Sequence, residues 1–220
     1  MAVGGGGFCD GLARFLVGLT GRERPRVLYI GTASAEDPAD ALRMYDRMGR
    51  MGTEVSRLEF FPWPPEDLRS VVLGSDLIFV GGGNTANMLA IWRVHGVDEL
   101  LREALDAGIV LSGSSAGGIC WFEEGMTDSF GPQLEQMDCL GFLGGSFCPH
   151  YDDEEQRRPR YHELLREGLA PGYAADAAVG LHFVNGELRE VLACNEGSKA
   201  YRVDVRDGEV VETPIEARVV

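Results

Sequence analysis

The chain has 220 residues, of which 45% are hydrophobic and 25% are charged, as expected for one soluble domain large enough to bury a core. A formal net charge of −15 argues against nucleic acid or an anionic membrane as the main partner. No apolar run is long enough to span a membrane, and Met1 is followed by small residues rather than by a basic and then apolar leader. We therefore expect a single cytoplasmic domain over residues 1–220.

The cysteine pattern bears on disulfides and metals. There are five cysteines, an odd number, widely spaced and without a C-x-x-C motif. Cys148 and His150 are two residues apart, but no paired ligand motif accompanies them. We therefore expect no disulfide framework, a reducing compartment, no metal site and no cofactor.

The first half of the chain alternates between apolar runs and helical patterns. Helical patterns cover 38–51, a segment from about residue 85, and 97–106, and Asp37 and Pro38 supply a plausible N-cap and first turn for the first of them. Buried strands are predicted at 26–30, 54–61, 76–80 and 109–111. This alternation favours an α/β fold with a doubly wound, mostly parallel sheet.

The pattern changes after about residue 170. Two hairpins are predicted, the first pairing 179–184 with 188–193 and the second pairing 200–205 with 210–211. Asn-Gly and Asp-Gly dipeptides supply the tight turns. We expect these hairpins to form an antiparallel extension of the same sheet.

The strongest local signal is Gly113-x-Ser115-x-Gly117, directly after an apolar strand. Small residues on both sides allow a sharp strand-to-helix turn that exposes the serine hydroxyl. The N–H groups that follow the serine can bind the oxyanion of an acyl-transfer transition state. The alternative is a Gly-Ser turn that only closes a βα corner.

A serine nucleophile needs a base, and the chain has four histidines. His150 follows a short apolar run and precedes a charged segment, as expected at the carboxyl edge of a sheet, where ligands bind in open α/β folds. His95 and His162 fall in helical stretches and His182 in a hairpin strand, where surface or packing roles are more common. His150 is therefore the preferred base.

Two glycine-rich segments also follow predicted strands. Gly81-Gly82-Gly83 opens a helix but lacks the glycine spacing of a dinucleotide site and the lysine of a P-loop. A second oxyanion donor from this loop is the better interpretation, since α/β hydrolytic sites are often completed in this way. The segment from Gly4 to Gly7 is predicted to be a tight turn after the first strand.

Three segments together resemble the peptidase E (α-aspartyl dipeptidase) and cyanophycinase family of serine peptidases. The segments are Gly81-Gly82-Gly83-Asn84-Thr85, then Ser115-Ala116-Gly117 after a strand, then Pro149-His150. The resemblance covers most of the chain and implies a sandwich of the flavodoxin-like type, related to class I glutamine amidotransferases. Those enzymes carry cysteine at the elbow, where this chain has serine.

The resemblance also implies roles for particular residues. Ser115 would be the nucleophile and His150 the general base. The oxyanion hole would be formed by N–H groups of Ala116 and of Gly82 or Gly83. Asn84 and Thr85, where the next helix begins, are expected to contact the substrate.

Two aspartates compete for the third catalytic position. The family often has an acidic residue near the start of the late hairpin; this register falls on Ala177, and Asp176 lies one residue earlier. Asp128 matches a family active-site aspartate in the loop after the elbow. Asp176 is the preferred orienter of the histidine, with Asp128 supporting loops or contacting substrate.

Peptidase E also has a basic residue after the histidine that holds the aspartyl side chain of its substrate. Arg157 and Arg158 are the available arginines, although the match is loose. The implied function is a serine peptidase that hydrolyses short peptides, among them dipeptides with N-terminal Asp, through an acyl-enzyme. Alternatives are a cyanophycin-type amide or ester hydrolase, or a catalytically impaired homologue that binds a small peptide. The sequence permits a homodimer without specifying one.

Overall fold

The computed structural model describes residues 1–220 and contains two β-sheets that contribute to one large core. The first sheet has eight strands in the order β14-β11-β10-β1-β5-β4-β2-β3, and β1, β5, β4, β2 and β3 are mutually parallel. Its strands are β1 (Ala2–Val3), β2 (Arg26–Ile30), β3 (Glu54–Leu58), β4 (Leu77–Val80), β5 (Val110–Ser114), β10 (Val179–Val184), β11 (Glu187–Ala193) and β14 (Arg218–Val219).

Helices cover both faces of this sheet because its buried strands are apolar on both sides. Along β2, Val27 packs toward one cluster of buried side chains and Leu28 toward the other. The cluster with Val27 contains residues of α1 (Asp10–Leu19) and α2 (Pro38–Arg50). The cluster with Leu28 contains residues of α3 (Leu68–Leu73), α4 (Thr85–His95), α5 (Val97–Asp106) and the short α6 (Ala116–Ile119). The doubly wound α/β prediction is therefore confirmed.

The N-cap and first-turn residues predicted from the sequence explain why α2 begins at Pro38. The Asp37 carboxylate accepts a hydrogen bond from the Ala39 N–H at 2.8 Å, and proline occupies the first helical position. α4 and α5 are separated by Gly96, which has φ +69° and ends the first of the two helices.

The second sheet was not predicted. Its six strands, in the order β13-β12-β9-β8-β6-β7, pack against α7 (Arg157–Glu167). They are β6 (Phe122–Thr127), β7 (Glu135–Asp138), β8 (Leu143–Cys148), β9 (Gly172–Ala175), β12 (Ala200–Arg206) and β13 (Glu209–Ile215). Several of these strands are short, glycine-containing or polar, so they lack the apolar pattern that marks the first sheet.

Both predicted hairpins are present, but they extend different sheets. The first, β10–β11, joins the parallel sheet through antiparallel pairing with β1. The second, β12–β13, pairs with β9 and so belongs to the second sheet. The expectation that both would extend the same sheet is therefore wrong, because the sequence gives each hairpin's internal pairing but not its outer neighbour.

Cys9 and Cys194 form a disulfide with a Cα–Cα separation of 6.0 Å. The two cysteines are 185 residues apart, so their spacing gave no sign of the pairing, and the expectation of no disulfide framework did not anticipate this single disulfide. Cys120, Cys139 and Cys148 are free. None of the helices combines the length and the apolar composition needed to cross a membrane.

We predict that Leu28→Ala lowers the free energy of unfolding by about 2–5 kcal/mol, because Leu28 is fully buried in the central sheet and its loss leaves a cavity. Urea denaturation would measure the change. Leu42→Ala is the matched control, since Leu42 lies on α2 with 68% of its surface exposed and should change stability little. Equal losses for the two variants would contradict the assignment of Leu28 to the core.

Candidate active site

Ser115 lies at the sharp turn between β5 and α6 and has a strained backbone. Its φ of 56° and ψ of −114° are rarely adopted by residues with a side chain, at a cost of about 1–3 kcal/mol. Hydrogen bonds fix the turn: the Ser115 N–H donates to the Val3 carbonyl at 3.0 Å, and the Ile119 N–H donates to the Ser115 carbonyl at 2.9 Å. The segment thus has the strand-turn-helix geometry of a nucleophile elbow.

The two glycines of the elbow motif are required by close backbone approach. A Cβ at Gly113 would overlap the carbonyl of Gly117. A Cβ at Gly117 would overlap the carbonyl of Val80, at the end of the neighbouring strand β4. Small residues therefore let the elbow sit tightly against the adjacent strand.

His150 lies beside the elbow serine, although it comes from the second sheet. It follows β8 and Pro149, and its Nε2 is 3.0 Å from the Ser115 Oγ, a hydrogen-bond distance. The His150 N–H donates to the Gly4 carbonyl at 2.7 Å. Its backbone φ is +57°, so this residue, like the serine, has an unusual conformation.

The imidazole ring of His150 packs directly on Gly5. A Cβ at Gly5 would overlap ring atoms Cε1 and Nε2 of His150. Gly5 has φ +93°, which also favours glycine. The chain does turn at Gly4 to Gly7, and the His150 ring lies against this turn.

Asp153 is the acceptor at the other ring nitrogen of the histidine. The His150 Nδ1 lies 3.2 Å from the Asp153 Oδ1 and 3.7 Å from the Glu154 Oε1. Glu154 is in turn held by Arg157, whose Nε donates to its Oε2 at 2.6 Å. A carboxylate at Nδ1 fixes the tautomer in which Nε2 can accept a proton from serine.

Asp176 contacts a different partner. Its Oδ2 accepts a hydrogen bond from the Lys199 N–H at 2.8 Å, and its own N–H donates to the Lys199 carbonyl at 3.0 Å. The side chain makes no hydrogen bond with His150. Burial, with a contribution from the nearby charge of Asp152, raises the pKa of Asp176 above its ordinary value. The two hydrogen bonds with Lys199 join the residue after β9 to the residue before β12, so Asp176 holds these two strands of the second sheet together.

Asp128 is exposed in the loop after β6, and its side chain makes no hydrogen bond. The neighbouring Ser129 ties this loop to the start of α4. The Asn84 Nδ2 donates to the Ser129 carbonyl at 2.9 Å, and the Ala86 N–H donates to the Ser129 Oγ at 3.2 Å. Asp128 is thus carried on a loop that is fixed to the helix after the glycine-rich segment.

The glycine-rich loop after β4 lies against the elbow. A Cβ at Gly82 would be 3.2 Å from the Cβ of Ser115 and 3.8 Å from its Oγ. The N–H groups of Gly82 and Gly83 donate no hydrogen bond within the chain. Ala116 is the first residue of α6, where N–H groups have no intrahelical acceptor. These groups are suitable donors to an oxyanion formed at Ser115.

The four residues that were expected to contact the substrate instead make contacts within the protein. The Asn84 side chain caps α4 by accepting from the Asn87 N–H at 2.8 Å, and Thr85 is fully buried. Arg157 is 3% exposed and pairs with Glu154, which leaves its Nη1 without a partner. Arg158 pairs with Glu212. Of the four, only Arg157 retains a buried donor nitrogen that is unpaired.

Sequence reasoning missed the contacts of Asp153 and Gly5 with the histidine. Asp153 lies in the charged segment that follows His150, and its position three residues after the histidine was the available signal. Gly5 lies 145 residues before the histidine, so nothing local linked them. No group of three or more His, Cys, Asp or Glu side chains is arranged to hold a metal ion.

An α/β fold in which an elbow serine contacts a histidine is the arrangement of a serine hydrolase. The sequence model described as peptidase family S51 matches residues 3–191, which is most of the chain. The chain therefore belongs to peptidase family S51, and it is a serine-type peptidase.

Known relatives agree with this assignment. The chain is 45% identical to the uncharacterized peptidase YgaJ of Bacillus subtilis over 98% of this chain and 96% of that protein. It is 30% identical to peptidase E of Shewanella denitrificans over 62% of this chain and 54% of that protein. A crystal structure of a peptidase from an acI-B1 Actinobacterium superposes with a TM-score of 0.68, at 15% identity, over 98% of this chain and 92% of that one. This last likeness concerns the fold.

We predict that Asp153→Asn lowers turnover by about 10²-fold or more, because an amide can present an N–H to Nδ1 and favour the wrong tautomer. Asp176→Asn should leave turnover within about threefold, since Asp176 does not contact the histidine. Steady-state kinetics on the best peptide would measure both. Glu155→Gln, in the same charged loop, is the control. A large loss in Asp176→Asn with none in Asp153→Asn would reverse the assignment.

Stability gives a second readout for Asp176. Its pKa is raised in the folded state, so its ionisation costs stability as pH rises above the unfolded carboxyl value of about 4. Asparagine lacks this cost and can still accept from the Lys199 N–H. We therefore expect Asp176→Asn to be more stable than wild type at pH 7, with the difference disappearing at pH 3.

Proposed function

We propose that the protein hydrolyses short peptides through an acyl-enzyme on Ser115. The observation that carries this proposal is the 3.0 Å separation between the Ser115 Oγ and the His150 Nε2, at an elbow beside unpaired N–H groups. A hydroxyl at this distance from a neutral imidazole can lose its proton as it attacks a carbonyl carbon.

Proton transfer through His150 accounts for both halves of the reaction. The imidazole takes the serine proton during attack and then gives it to the leaving amine, which departs as the first product. Water next attacks the ester carbonyl; His150 removes its proton and returns one to the Ser115 Oγ, so the enzyme is regenerated. Asp153 at Nδ1 stabilises the imidazolium formed in each half.

The charge that develops on the carbonyl oxygen needs preorganised donors. The N–H groups of Ala116 and Gly82, with Gly83 as the alternative to Gly82, are the candidates. Each such donor contributes on the order of 10²–10³ in turnover in comparable sites. A side chain at Gly82 would crowd the serine, which supports a close approach of this backbone to the reacting atoms.

A preference for an N-terminal aspartate is the finer part of the proposal. Membership of the S51 family, with peptidase E among its relatives, supports it. The Arg157 Nη1 is an unpaired arginine donor next to the histidine loop, but it is buried, so a substrate carboxylate would reach it only if this loop moved. Arg158 is already neutralised by Glu212, so it is the weaker candidate.

We expect Ser115→Ala to abolish peptide hydrolysis and labelling by a fluorophosphonate, because no other hydroxyl lies against His150. Ser114→Ala is the matched control, since it removes the adjacent hydroxyl of the same motif and should keep both activities. Mass spectrometry of the labelled protein would locate the adduct. Hydrolysis by Ser115→Ala at the wild-type rate would show that the nucleophile is assigned wrongly, and an unlabelled wild type would favour a binding protein.

Substrate preference is tested with matched peptides and an ester. We predict that Asp-Leu is cleaved at least about tenfold faster, in kcat/KM, than its neutral analogue Asn-Leu. p-Nitrophenyl acetate should be a poor substrate. Equal rates for the two dipeptides would refute the acidic preference while leaving the peptidase activity intact. Ester cleavage without dipeptide cleavage would instead favour the related amide or ester hydrolase.

A further inference from the structure

Glu212 is the common acceptor of a polar cluster next to Tyr151, the residue that follows His150. Its Oε1 lies 2.6 Å from the His162 Nε2 and accepts from the Arg158 Nε at 2.9 Å. The Tyr151 hydroxyl donates to the same oxygen and lies 3.0 Å from the His162 Nε2. Glu212 belongs to β13, so the edge hairpin of the second sheet reaches the residue that follows His150.

Within the cluster Tyr151 is buried, Glu212 and His162 are partly buried, and Arg158 is exposed but paired with Glu212. Burial alone would raise the pKa of Glu212, but hydrogen bonds from Arg158, Tyr151 and His162 outweigh it and hold the pKa below its usual value. Burial first, and then the bond to Glu212, raises the pKa of Tyr151, so its hydroxyl keeps its proton and remains a donor. An ionised acceptor therefore meets a neutral donor, which makes a strong hydrogen bond.

Tyr151 is also fixed through its ring. The Arg158 guanidinium lies 5.2 Å from the centre of the Tyr151 ring and 5.4 Å from that of Tyr201. Only 3% of Tyr151 is exposed. Glu212 holds Arg158 in place, so it fixes Tyr151 both at the hydroxyl and, through Arg158, at the ring face.

Tyr151 directly follows His150, so a shift of Tyr151 would act on the backbone of the histidine. His150 has φ +57°, an unfavourable value that persists only when the surrounding structure enforces it. The His150 N–H is bonded to the Gly4 carbonyl and the Tyr151 N–H to the Ala175 carbonyl at 3.1 Å. If the tyrosine side chain were released, the backbone at His150 could relax, and the ring would move relative to the Ser115 Oγ.

We propose that Glu212 is a positioning residue for His150, acting through the hydroxyl and ring of Tyr151. The effect on turnover rests on the proposed function, whereas the effect on the histidine ring does not. Arg158, expected from the sequence to contact substrate, takes part in the same clamp. A displacement of about 1 Å at a reacting group can cost up to about 10²-fold in rate.

Two variants and a control test this inference. Tyr151→Phe keeps the ring and removes only the hydroxyl, so it should fold even if Glu212→Gln unfolds. Glu209→Gln is the control, because Glu209 lies on the same strand, is exposed and makes no side-chain contact. We expect both test variants to lose about tenfold in kcat and in the rate of fluorophosphonate labelling, with KM within about twofold and the control unchanged.

The imidazole resonances give a readout independent of activity. With four histidines in the chain, the Cε1–H cross-peaks can be assigned by substitution. The His150 cross-peak should shift in both test variants and not in the control. The double variant should lose no more kcat than Glu212→Gln alone, because the hydroxyl contact that Tyr151→Phe removes is one of the two contacts that depend on Glu212. The inference would be overturned if the His150 cross-peak did not move in the test variants, or if these variants lost thermal stability with kcat and labelling unchanged. If the wild type were inactive but the His150 cross-peak still shifted in the test variants, only the proposed function would be refuted.

Discussion

The site depends on one contact, the hydrogen bond between the Ser115 hydroxyl and the His150 imidazole, whose partners come from different sheets. Ser115 ends a strand of the parallel sheet, and His150 follows a strand of the second sheet. To bring them within 3.0 Å, the backbones around them must approach more closely than side chains allow. The glycines at positions 5, 82, 113 and 117 each occupy a place where a Cβ would crowd or overlap a neighbour. These four glycines are therefore needed for the serine and histidine side chains to come into contact.

The strain at the two central residues has the same origin. Both have positive φ although neither is glycine, and in the proposed function both side chains take part in the reaction. The surrounding hydrogen bonds and packing hold these conformations in place. The turn at Gly4 to Gly7 contacts the His150 ring directly, and the Glu212 cluster is the support that we propose acts through Tyr151.

Local patterns in the sequence were sufficient to predict the parallel strands, the helices α2, α4 and α5, and the elbow, but not α1 and α3. Buried strands of a parallel sheet are apolar throughout, and the elbow motif directly follows such a strand, so both leave a signal within a few residues. The second sheet left no comparable signal, since its strands are short or polar. The partner of His150 Nδ1 could not be deduced either. The sequence analysis weighed Asp176 and Asp128, whereas the path of the chain after Pro149 places the Asp153 carboxylate against the ring. Pairings between remote residues, such as Cys9 with Cys194, depend on the completed fold.

The two-residue strand β1 lies between β5 and β10 and carries the turn on which the imidazole rests. Its antiparallel partner, β10, begins only at Val179, after both Ser115 and His150 in the chain. During synthesis the chain therefore contains Ser115 and His150 before it contains the strand that pairs with β1. The contact between the Ser115 hydroxyl and the His150 imidazole can therefore reach its native surroundings only after β10 has been made.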